Sequence, residues 1–257
     1  MANPTNHAIP VFSRWLGSWQ IAISRRAFDP ADLQRAYDAA APRWADKLRR
    51  LGVPAAYRGA LQALLAHDRP HPGKGHRLNV LDCGVGTGAL SLALADVIDH
   101  DMTLAAVDVS PRMLAEARHA LQEKGVELAP HLADVRDLPF PDDAFDLVMC
   151  AHALEHLADP QEAIAEMLRV LRPSGVVLAR VTRRSLLGGY VQLKWRTHQL
   201  TAERAVGWLS ARGIGNIRCR PVRGRIPGGA WSIAVAGRKP EPDPAGIADF
   251  TQLPHAA

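Results

Sequence analysis

Cysteine is scarce in this chain of 257 residues, and its three copies, Cys83, Cys150 and Cys219, lack the spacing of metal ligands. Two of them fall in strand-like stretches, which indicates small buried side chains in a reducing compartment. Also missing is any run of about 18 apolar residues, the length that a membrane-spanning helix needs. The first residues lack the basic start and apolar core of a signal peptide, so we expect a cytoplasmic protein. Because the cysteines lack metal-ligand spacing, we also expect no bound metal.

Acidic side chains are almost absent from one stretch. Residues 169–239 contain 15 Lys or Arg and the single acid Glu203, whereas residues 1–168 contain 16 Lys or Arg and 22 Asp or Glu. A basic segment of this kind suits an anionic partner, such as nucleic acid, a phospholipid surface or an acidic small molecule. A solvated basic face that binds nothing has the same composition, so both interpretations stay open.

The stretch that organises the rest of the chain is residues 78–88. An apolar run reaches Asp82 and then three alternating glycines, Gly84, Gly86 and Gly88, before a helical pattern begins. This is the strand, turn and helix start of a nucleotide-binding α/β domain. The spacing also fits a dinucleotide fingerprint, but Asp82 would repel a pyrophosphate and attract the ammonium of S-adenosylmethionine. The loop alone leaves both ligands open.

Strands and helices alternate through residues 78–239. The predicted strands after the glycine loop are Thr103–Val107, Gly125–Leu132, Phe145–Cys150, Val176–Val181, Ile217–Val222 and Trp231–Ala236, and the predicted helices are 111–124, 160–171 and 201–211. The last two strands pair antiparallel because their connection is too short for a crossover helix. We therefore expect an α/β fold: a Rossmann-like, doubly wound, mostly parallel seven-stranded sheet with an antiparallel C-terminal hairpin.

Residues 1–68 precede the sheet and are predicted to form an N-terminal helical extension that caps it as a lid. Within residues 1–28, apolar side chains recur every three or four positions beside several arginines, as on an amphipathic helix. These apolar side chains are Phe12, Trp15, Leu16, Trp19 and Ile23. Such a stripe suits packing on the same domain, packing on a second copy in a homodimer, or contact with an anionic membrane surface.

Two more predicted helices complete this extension, one from Pro30 to Leu48 with Asp29 as its N-cap and one from Ala55 to Ala66. Residues 69–77 are rich in Pro and Gly and are predicted to be a linker. Residues 78–239 are then the main domain. Residues 240–257 are rich in Pro and Ala and are predicted to be a flexible tail.

Three carboxylates fall where predicted strands end: Asp82, Asp108 and Asp134. Ligands of open α/β sheets bind outside the carboxyl ends of the strands, so these side chains are expected to face one site. Asp108 lies about twenty residues beyond the glycine loop, the position from which an acid reaches ribose hydroxyls. Any one of these residues is also a common turn-capping residue, but all three together indicate a ligand site.

Combined with the glycine loop, these positions resemble class I S-adenosylmethionine-dependent methyltransferases, and within them the branch of ubiquinone/menaquinone C-methyltransferases. The segments that carry the resemblance are residues 81–88, 107–114, 134–141, 145–148 and 169–173. The resemblance implies methyl transfer from S-adenosylmethionine, with S-adenosylhomocysteine as the product. It covers residues 78–182 closely and says little about the acceptor.

The resemblance also implies a role for each matched residue. Gly84, Gly86 and Gly88 would lie under the methionine and ribose, Asp82 would favour the methionine ammonium, and Asp108 would take the ribose hydroxyls. Val109 and Met113 would pack against the adenine, and Asp134 and the Val135 amide would bind its edge. The carbonyl of Cys150 or Ala151 would hold the methionine amine, and Tyr37 would be a lid tyrosine. Ordinary helix core competes as an interpretation for Met113, and core packing competes for Tyr37.

Two histidines follow the fourth strand of the sheet, where the methyl group is expected to point. His152 and His156 are four residues apart, so one of them is a candidate general base, with structural packing as the alternative for His156. We expect a small-molecule acceptor, lipophilic or acidic, methylated on O, N or C. The alternatives are an RNA methyltransferase that uses the basic segment, a nicotinamide-dependent oxidoreductase, and a binding module without catalysis.

Overall fold

The computed structural model describes residues 8–26, 28–72, 77–99, 101–183, 193–198, 200–223 and 232–241. Its strands are β1 (Ala8–Leu16), β2 (Trp19–Arg26), β3 (Leu78–Cys83), β4 (Met102–Asp108), β5 (Leu128–Leu132), β6 (Phe145–Ala151), β7 (Leu171–Thr182), β8 (Gly215–Val222) and β9 (Ser232–Arg238). Its helices are α1 (Pro30–Arg50), α2 (Val53–Leu65), α3 (Ala89–Ala95), α4 (Pro111–Gln122), α5 (Gln161–Val170) and α6 (Ala202–Ser210), with a single helical turn at Leu154–His156.

Parts of several predicted segments lie outside the described residues: residues 1–7 and 27 of the N-terminal extension, residues 73–76 of the linker, Trp231 of the last predicted strand and residues 242–257 of the tail. Within the described ranges, no helix is both long enough and apolar enough to cross a membrane.

The seven strands from β3 onward form one sheet in the order β5-β4-β3-β6-β7-β9-β8. Neighbouring strands are parallel except at β9, which is antiparallel to both β7 and β8. The predicted mostly parallel seven-stranded sheet with an antiparallel C-terminal pair is confirmed. The chain leaves β3 towards β4 on one side and later returns to β6 on the other. A crevice therefore opens at the carboxyl ends of β3 and β6, where Cys83 is paired with Cys150.

Helices cover both faces of the sheet. Successive residues of β6 point to opposite faces, so Leu147 and Met149 pack with α2, α3 and α4, whereas Val148 and Cys150 pack with α5 and α6. Burial on both faces explains why Leu147–Cys150 is an uninterrupted apolar run in the sequence. Cys83 and Cys150 are both buried, as their positions in strands predicted.

The stretch predicted to be the first helix is instead an antiparallel hairpin, β1–β2. Its turn begins at Gly17, whose φ of +61° suits a tight connection between strands. In the hairpin, Leu16 pairs with Trp19 and Phe12 pairs with Ile23, so these residues lie symmetrically about the turn. Along the sequence, the same residues are three or four positions apart, which is also the spacing of one face of a helix. Aromatic and β-branched residues favour the strand, and they decide the outcome here. The helical part of the N-terminal extension therefore begins only at α1.

Helix α1 is capped and docked by two aspartates. Asp29 is its N-cap, as predicted, and accepts a hydrogen bond from the backbone N–H of Asp32 at 2.7 Å. Further along the helix, Asp38 accepts a hydrogen bond from the hydroxyl of Ser110 at 2.6 Å. Ser110 caps α4 by accepting from the N–H of Met113, and it lies two residues beyond the end of β4. These contacts hold α1 next to the carboxyl edge of the sheet.

Candidate functional site

A cleft of about 1240 Å³ lies between helix α1 and the carboxyl ends of β3, β4 and β6. The glycine loop and the three strand-end carboxylates line one part of it, and apolar and aromatic side chains of α1 line another. Most residues predicted from the sequence are in its wall: Tyr37, Asp82, Gly84, Gly86, Asp108, Val109, Asp134, Val135, Ala151, His152 and His156. The topology of the sheet thus brings together side chains that are more than 100 residues apart in the chain.

Three predicted residues do not line the cleft. The side chains of Met113 and Cys150 are fully buried, although the contact expected of Cys150 involves only its backbone carbonyl. Gly88 backs onto α4, where an added Cβ would lie 3.4 Å from Ala117. Gly88 therefore serves the close approach of two helices rather than the surface of the cleft.

The glycine loop is held against the end of β4. The backbone N–H of Gly84 donates to the carbonyl of Val107 at 2.8 Å, and that of Gly86 donates to the Asp108 carboxylate at 2.9 Å. Both glycines have positive φ, +73° and +53°. At Gly84 an added Cβ would lie only 2.5 Å from the Cβ of Ala153, so the turn closes tightly on the segment that follows β6.

Asp82 is a buried carboxylate whose hydrogen bonding is incomplete. Its Oδ2 accepts from the hydroxyl of Ser91 at 2.6 Å, while its Oδ1 has no hydrogen-bond partner among the described residues. Burial raises the pKa of Asp82 to about 7; the Ser91 hydrogen bond opposes this shift and the charge of Asp108 adds to it. Such a group gains most from a cationic donor delivered by a ligand.

The other two strand-end carboxylates are already engaged. Asp108 accepts from the N–H groups of Gly86 and Ser110, each at 2.9 Å, and burial nevertheless raises its pKa. Asp134 forms an ion pair with Arg136 at 2.6 Å, and the hydrogen bond from Arg136 is the main reason that its pKa is lowered. Asp108 is therefore held in position by backbone N–H groups around the cleft, whereas Asp134 is ion-paired with Arg136, two residues later in the chain.

His152 is held in place by residues on two other elements. It directly follows β6 with a φ of +63°, a conformation that is rare outside glycine. Its Nδ1 lies 3.1 Å from the Thr182 hydroxyl and 3.5 Å from Oε1 of Glu155. Glu155 is 2 % exposed and accepts from both the backbone N–H and the hydroxyl of Thr182. Burial favours a high pKa for Glu155, but His152 and the Thr182 hydrogen bonds outweigh it, and the pKa is lowered.

Glu155 and Thr182 were missed by the sequence analysis. The available signal was an acidic residue between two leucines in the segment 154–157, where a charge has to be buried if the leucines pack in the core. Thr182, at the end of β7, has no sequence signal that marks it as a partner of a residue 30 positions earlier.

His156 has a different environment from His152. Its Nε2 is hydrogen-bonded to the hydroxyl of Tyr37 at 2.6 Å. Burial is the main cause that lowers the pKa of His156 to about 4, and burial also raises the pKa of Tyr37. His156 is therefore neutral around neutral pH and a weak base, and its main contact is the tyrosine of α1.

Aromatic side chains extend the wall of the cleft beyond Tyr37. The Tyr37 ring stacks on Trp195 at 5.0 Å between centroids, and Trp44 meets Trp195 edge-on at the same distance. The Lys47 ammonium lies 4.8 Å from the Trp44 ring, and burial together with Lys194 lowers its pKa. We call Tyr37, Trp44 and Trp195 the aromatic wall. Leu33, Leu48 and Leu51 also line the cleft, so this part of it is apolar, with the Lys47 ammonium at its side.

In the described part of the chain, no group of three or more His, Cys, Asp or Glu side chains is arranged to hold a metal ion.

Residues 81–179 match the family model described as "Methyltransferase domain". A rice 2-methyl-6-phytyl-1,4-hydroquinone methyltransferase is 38 % identical over 101 residues, which are 39 % of this chain and 30 % of the rice protein. The phosphatidylethanolamine N-methyltransferase of Cereibacter sphaeroides is 40 % identical over 101 residues, covering 38 % of this chain and 48 % of that protein. A ubiquinone/menaquinone biosynthesis C-methyltransferase of Neisseria meningitidis is 38 % identical over 99 residues, covering 38 % and 40 %. The matched part thus spans less than half of each of these relatives.

Solved structures share the fold over most of the chain. Magnesium protoporphyrin IX methyltransferase from Synechocystis PCC 6803, solved with bound S-adenosylhomocysteine, has a TM-score of 0.63 at 19 % identity and covers 82 % of this chain and 100 % of its own. The [4+2]-cyclase SpnF has a TM-score of 0.62 at 21 % identity, covering 84 % and 98 %. A fold that is shared by a methyltransferase and a cyclase leaves the chemistry to be argued from the site.

We expect Gly84→Ala to destabilise the protein more than Gly86→Ala does. Both residues have positive φ, so either alanine costs about 1 kcal/mol in backbone strain. Only at Gly84 does the new Cβ also meet Ala153, an overlap that adds about 1–3 kcal/mol. Urea denaturation of the two variants measures the difference. Equal losses of unfolding free energy would show that the loop moves away from Ala153 at no cost.

Proposed function

Since residues 81–179 match the methyltransferase domain model, we propose that this chain is a class I S-adenosylmethionine-dependent methyltransferase that transfers the methyl group of S-adenosylmethionine to a lipophilic small molecule. The match covers residues 81–179, which include the glycine loop and the three strand-end carboxylates. The activity of the whole chain and the acceptor therefore rest on the chemistry of the cleft.

The observation that carries the donor assignment is the unpartnered oxygen of Asp82. A buried carboxylate with one unsatisfied oxygen at the glycine loop suits a ligand with an ammonium group and opposes one with a pyrophosphate. The hydroxyl of Thr87, in the same loop, is likewise buried without a hydrogen-bond partner among the described residues. S-adenosylmethionine has the ammonium, a ribose diol for Asp108 and no phosphate. The same reasoning disfavours a nicotinamide dinucleotide.

When bound, S-adenosylmethionine supplies a methyl group that its sulfonium makes electrophilic. The residues of this chain hold and orient the reactants. Gly84 and Gly86 let the ligand approach the main chain, Asp82 and Asp108 take the ammonium and ribose ends, and the aromatic wall covers the cleft from the side of α1. Exclusion of water and alignment of the two reactants are the main requirements of a displacement at carbon.

A lipophilic acceptor is supported by the side of the cleft next to α1. The aromatic wall and the leucines of α1 form an apolar surface, and the Lys47 ammonium beside it suits an anionic or electron-rich group on the acceptor. The names of the relatives point the same way, since they include methyltransferases of a phytyl hydroquinone, of ubiquinone and menaquinone, and of phosphatidylethanolamine. On this basis residues 1–68 are an N-terminal extension whose helix α1 covers the acceptor. The catalytic domain follows it in the chain at residues 78–239.

The exposed tip of the β1–β2 hairpin supports contact with an anionic membrane surface. Trp15, Leu16 and Trp19 are 63 %, 51 % and 78 % exposed, and Arg14 next to them is exposed as well. Tryptophans of this kind favour the interface between lipid headgroups and acyl chains, and arginine favours anionic lipids. The hairpin ends two residues before Phe28, which lines the cleft, so β2 connects the exposed tip to the wall of the cleft. A second copy of the chain is the competing partner for this tip.

We expect the binding of S-adenosylmethionine to release protons at about pH 6, and Asp82→Asn to abolish that release. Because the pKa of Asp82 is about 7 in the free protein, its carboxyl group is mostly protonated at that pH, and an ammonium beside it favours the ionised form. Calorimetry in two buffers with different ionisation enthalpies measures the protons released. The release should fade as the pH rises above about 8, where Asp82 is already ionised.

NAD is the comparison ligand in the same experiment. If the Asp82→Asn variant released as many protons as the wild type on binding S-adenosylmethionine, the titrating group would lie elsewhere in the cleft. Tight NAD binding without S-adenosylmethionine binding would overturn the proposed function.

We expect labelled methyl groups from S-adenosylmethionine to enter a lipid extract, since the acceptor side of the cleft is apolar. The chain is incubated with labelled donor and, separately, with a lipid extract, a polar metabolite extract and total RNA. Heat-inactivated protein is the control. Label in RNA alone would favour the nucleic-acid alternative, for which the basic segment 169–239 is the motivation. Label in the polar extract alone would contradict a lipophilic acceptor.

We expect the protein to sediment with vesicles that contain phosphatidylglycerol, less at high salt, and not with neutral vesicles. Replacing both tip tryptophans (Trp15→Ser with Trp19→Ser) should lower the binding about tenfold or more, because each ring loses its place in the interface. Leu132→Ser is the matched control, since Leu132 is 64 % exposed on the edge strand β5. Binding that the tryptophan variant retains, or dimerisation that it abolishes, would assign the tip to another partner.

A further inference from the structure

The hydrogen bonds between Glu155, Thr182 and His152 determine which ring nitrogen of the histidine carries its proton. The Thr182 hydroxyl lies 2.9 Å from Oε2 of Glu155 and 3.1 Å from Nδ1 of His152. An ionised carboxylate only accepts hydrogen bonds, so the single hydroxyl proton points to Glu155. The hydroxyl oxygen then accepts from His152, which requires Nδ1 to carry a hydrogen. In the neutral ring the lone pair is consequently on Nε2.

Glu155 is built to remain ionised despite its burial. It is 2 % exposed, and its Oε1 accepts from the backbone N–H of Thr182 and lies 3.5 Å from Nδ1 of His152. Its pKa is lowered, because the favourable effects of His152 and Thr182 exceed the cost of burial. Arg180, which lies on β7 as Thr182 does, adds a positive charge near Glu155, and the charge of Glu155 in turn raises the pKa of Arg180 against the lowering effect of burial.

The backbone fixes the position of His152 relative to the donor site. The N–H of His152 donates to the carbonyl of Arg180 at 3.1 Å, and the next residue, Ala153, is the one that leaves no room for a Cβ at Gly84. His152 lines the cleft and is thus tied to the glycine loop through one intervening residue. His156 has no equivalent arrangement, because its Nε2 is bonded to Tyr37.

We propose that Glu155 and Thr182 are positioning residues that hold the His152 ring with Nδ1 protonated, so that Nε2 accepts the proton of the methyl acceptor. This inference rests on the proposed function. It implies an acceptor whose attacking atom, or a hydroxyl conjugated to it, carries a proton that must leave, such as a phenol, a hydroquinone or an amine. An acceptor that attacks without losing a proton would not need this arrangement.

The acceptor X–H gives its proton to Nε2 of His152, and the electron pair of X forms the bond to the methyl carbon. The carbon–sulfur bond of the donor breaks, and its electron pair stays on sulfur, which becomes the neutral thioether of S-adenosylhomocysteine. The imidazolium formed at His152 is stabilised by the carboxylate of Glu155, 3.5 Å from Nδ1, and returns its proton to water when the products leave.

Two threonine variants test the arrangement without an acceptor. In protein labelled with [15N]histidine and saturated with S-adenosylhomocysteine, long-range proton–nitrogen correlation spectra report the tautomer of each neutral histidine. We expect His152 to show protonated Nδ1 and unprotonated Nε2 in the wild type and in Thr182→Ser, which keeps the hydroxyl. Thr182→Val is isosteric but lacks the hydroxyl, and it should give a mixture of tautomers. Wild-type protein with Nε2 protonated would overturn the proposal, as would a valine variant with an unchanged tautomer.

The carboxylate is tested by Glu155→Gln. We expect this change to lower methyl incorporation into a lipid extract about 100-fold or more at saturating donor, with the affinity for S-adenosylmethionine changed less than about threefold. Calorimetry of donor binding separates this result from misfolding, and Thr182→Val provides the second variant if the glutamine protein does not fold. Unimpaired transfer by both variants would remove the positioning role. Absence of transfer by the wild type would contradict the proposed function, whereas the tautomer of His152 would still test this inference.

Discussion

The buried carboxylate of Asp82 is the constraint on which the rest of the site depends. Leaving one of its oxygens without a donor in the interior costs free energy, and the protein tolerates this because the sheet fixes the residue at the end of β3. The parallel order of the strands brings the ends of β4 and β6 to the same edge, so Asp108 and His152 face the same cleft. Helix α1 then closes the cleft, held through Asp38 and Ser110. A ligand that satisfies Asp82 is therefore surrounded by groups that the fold has already positioned.

The sheet and its carboxyl edge could be predicted from the sequence because their signals are local. A fully buried strand is a continuous apolar run, and an aspartate at its end is visible in the same stretch. The hairpin β1–β2 could not be predicted in this way, since pairs placed symmetrically about Gly17 have the same spacing as a helix face. Met113 shows a related limit: helix periodicity marks it as apolar on one side but does not tell a core contact from a ligand contact, and the structure places it in the core.

Most features of the site that could not be predicted from the sequence are contacts between segments that are far apart in the chain. Trp195 stacks on Tyr37 across more than 150 residues, and Thr182 reaches Glu155 and His152 from the end of another strand. Neither contact follows from composition or spacing, because each depends on the strand order and on how α1 lies over the sheet. Residue types alone also gave no reason to separate Asp134 from Asp108, although the first is paired with Arg136 and the second is held by backbone N–H groups.

His152 and His156 illustrate how environment assigns different tasks to identical side chains four residues apart. His156 is buried against Tyr37, and burial lowers its pKa to about 4, so it remains a neutral partner for the tyrosine of the covering helix. His152 sits at the edge of the cleft with an ionised carboxylate and a hydroxyl on its Nδ1 side. A base needs a lone pair directed at the acceptor and a nearby charge that stabilises the protonated ring. Glu155 lies 3.5 Å from the ring of His152, whereas at His156 burial outweighs the effect of the same carboxylate. The positive φ after β6 is the conformation in which the chain presents His152 to the cleft.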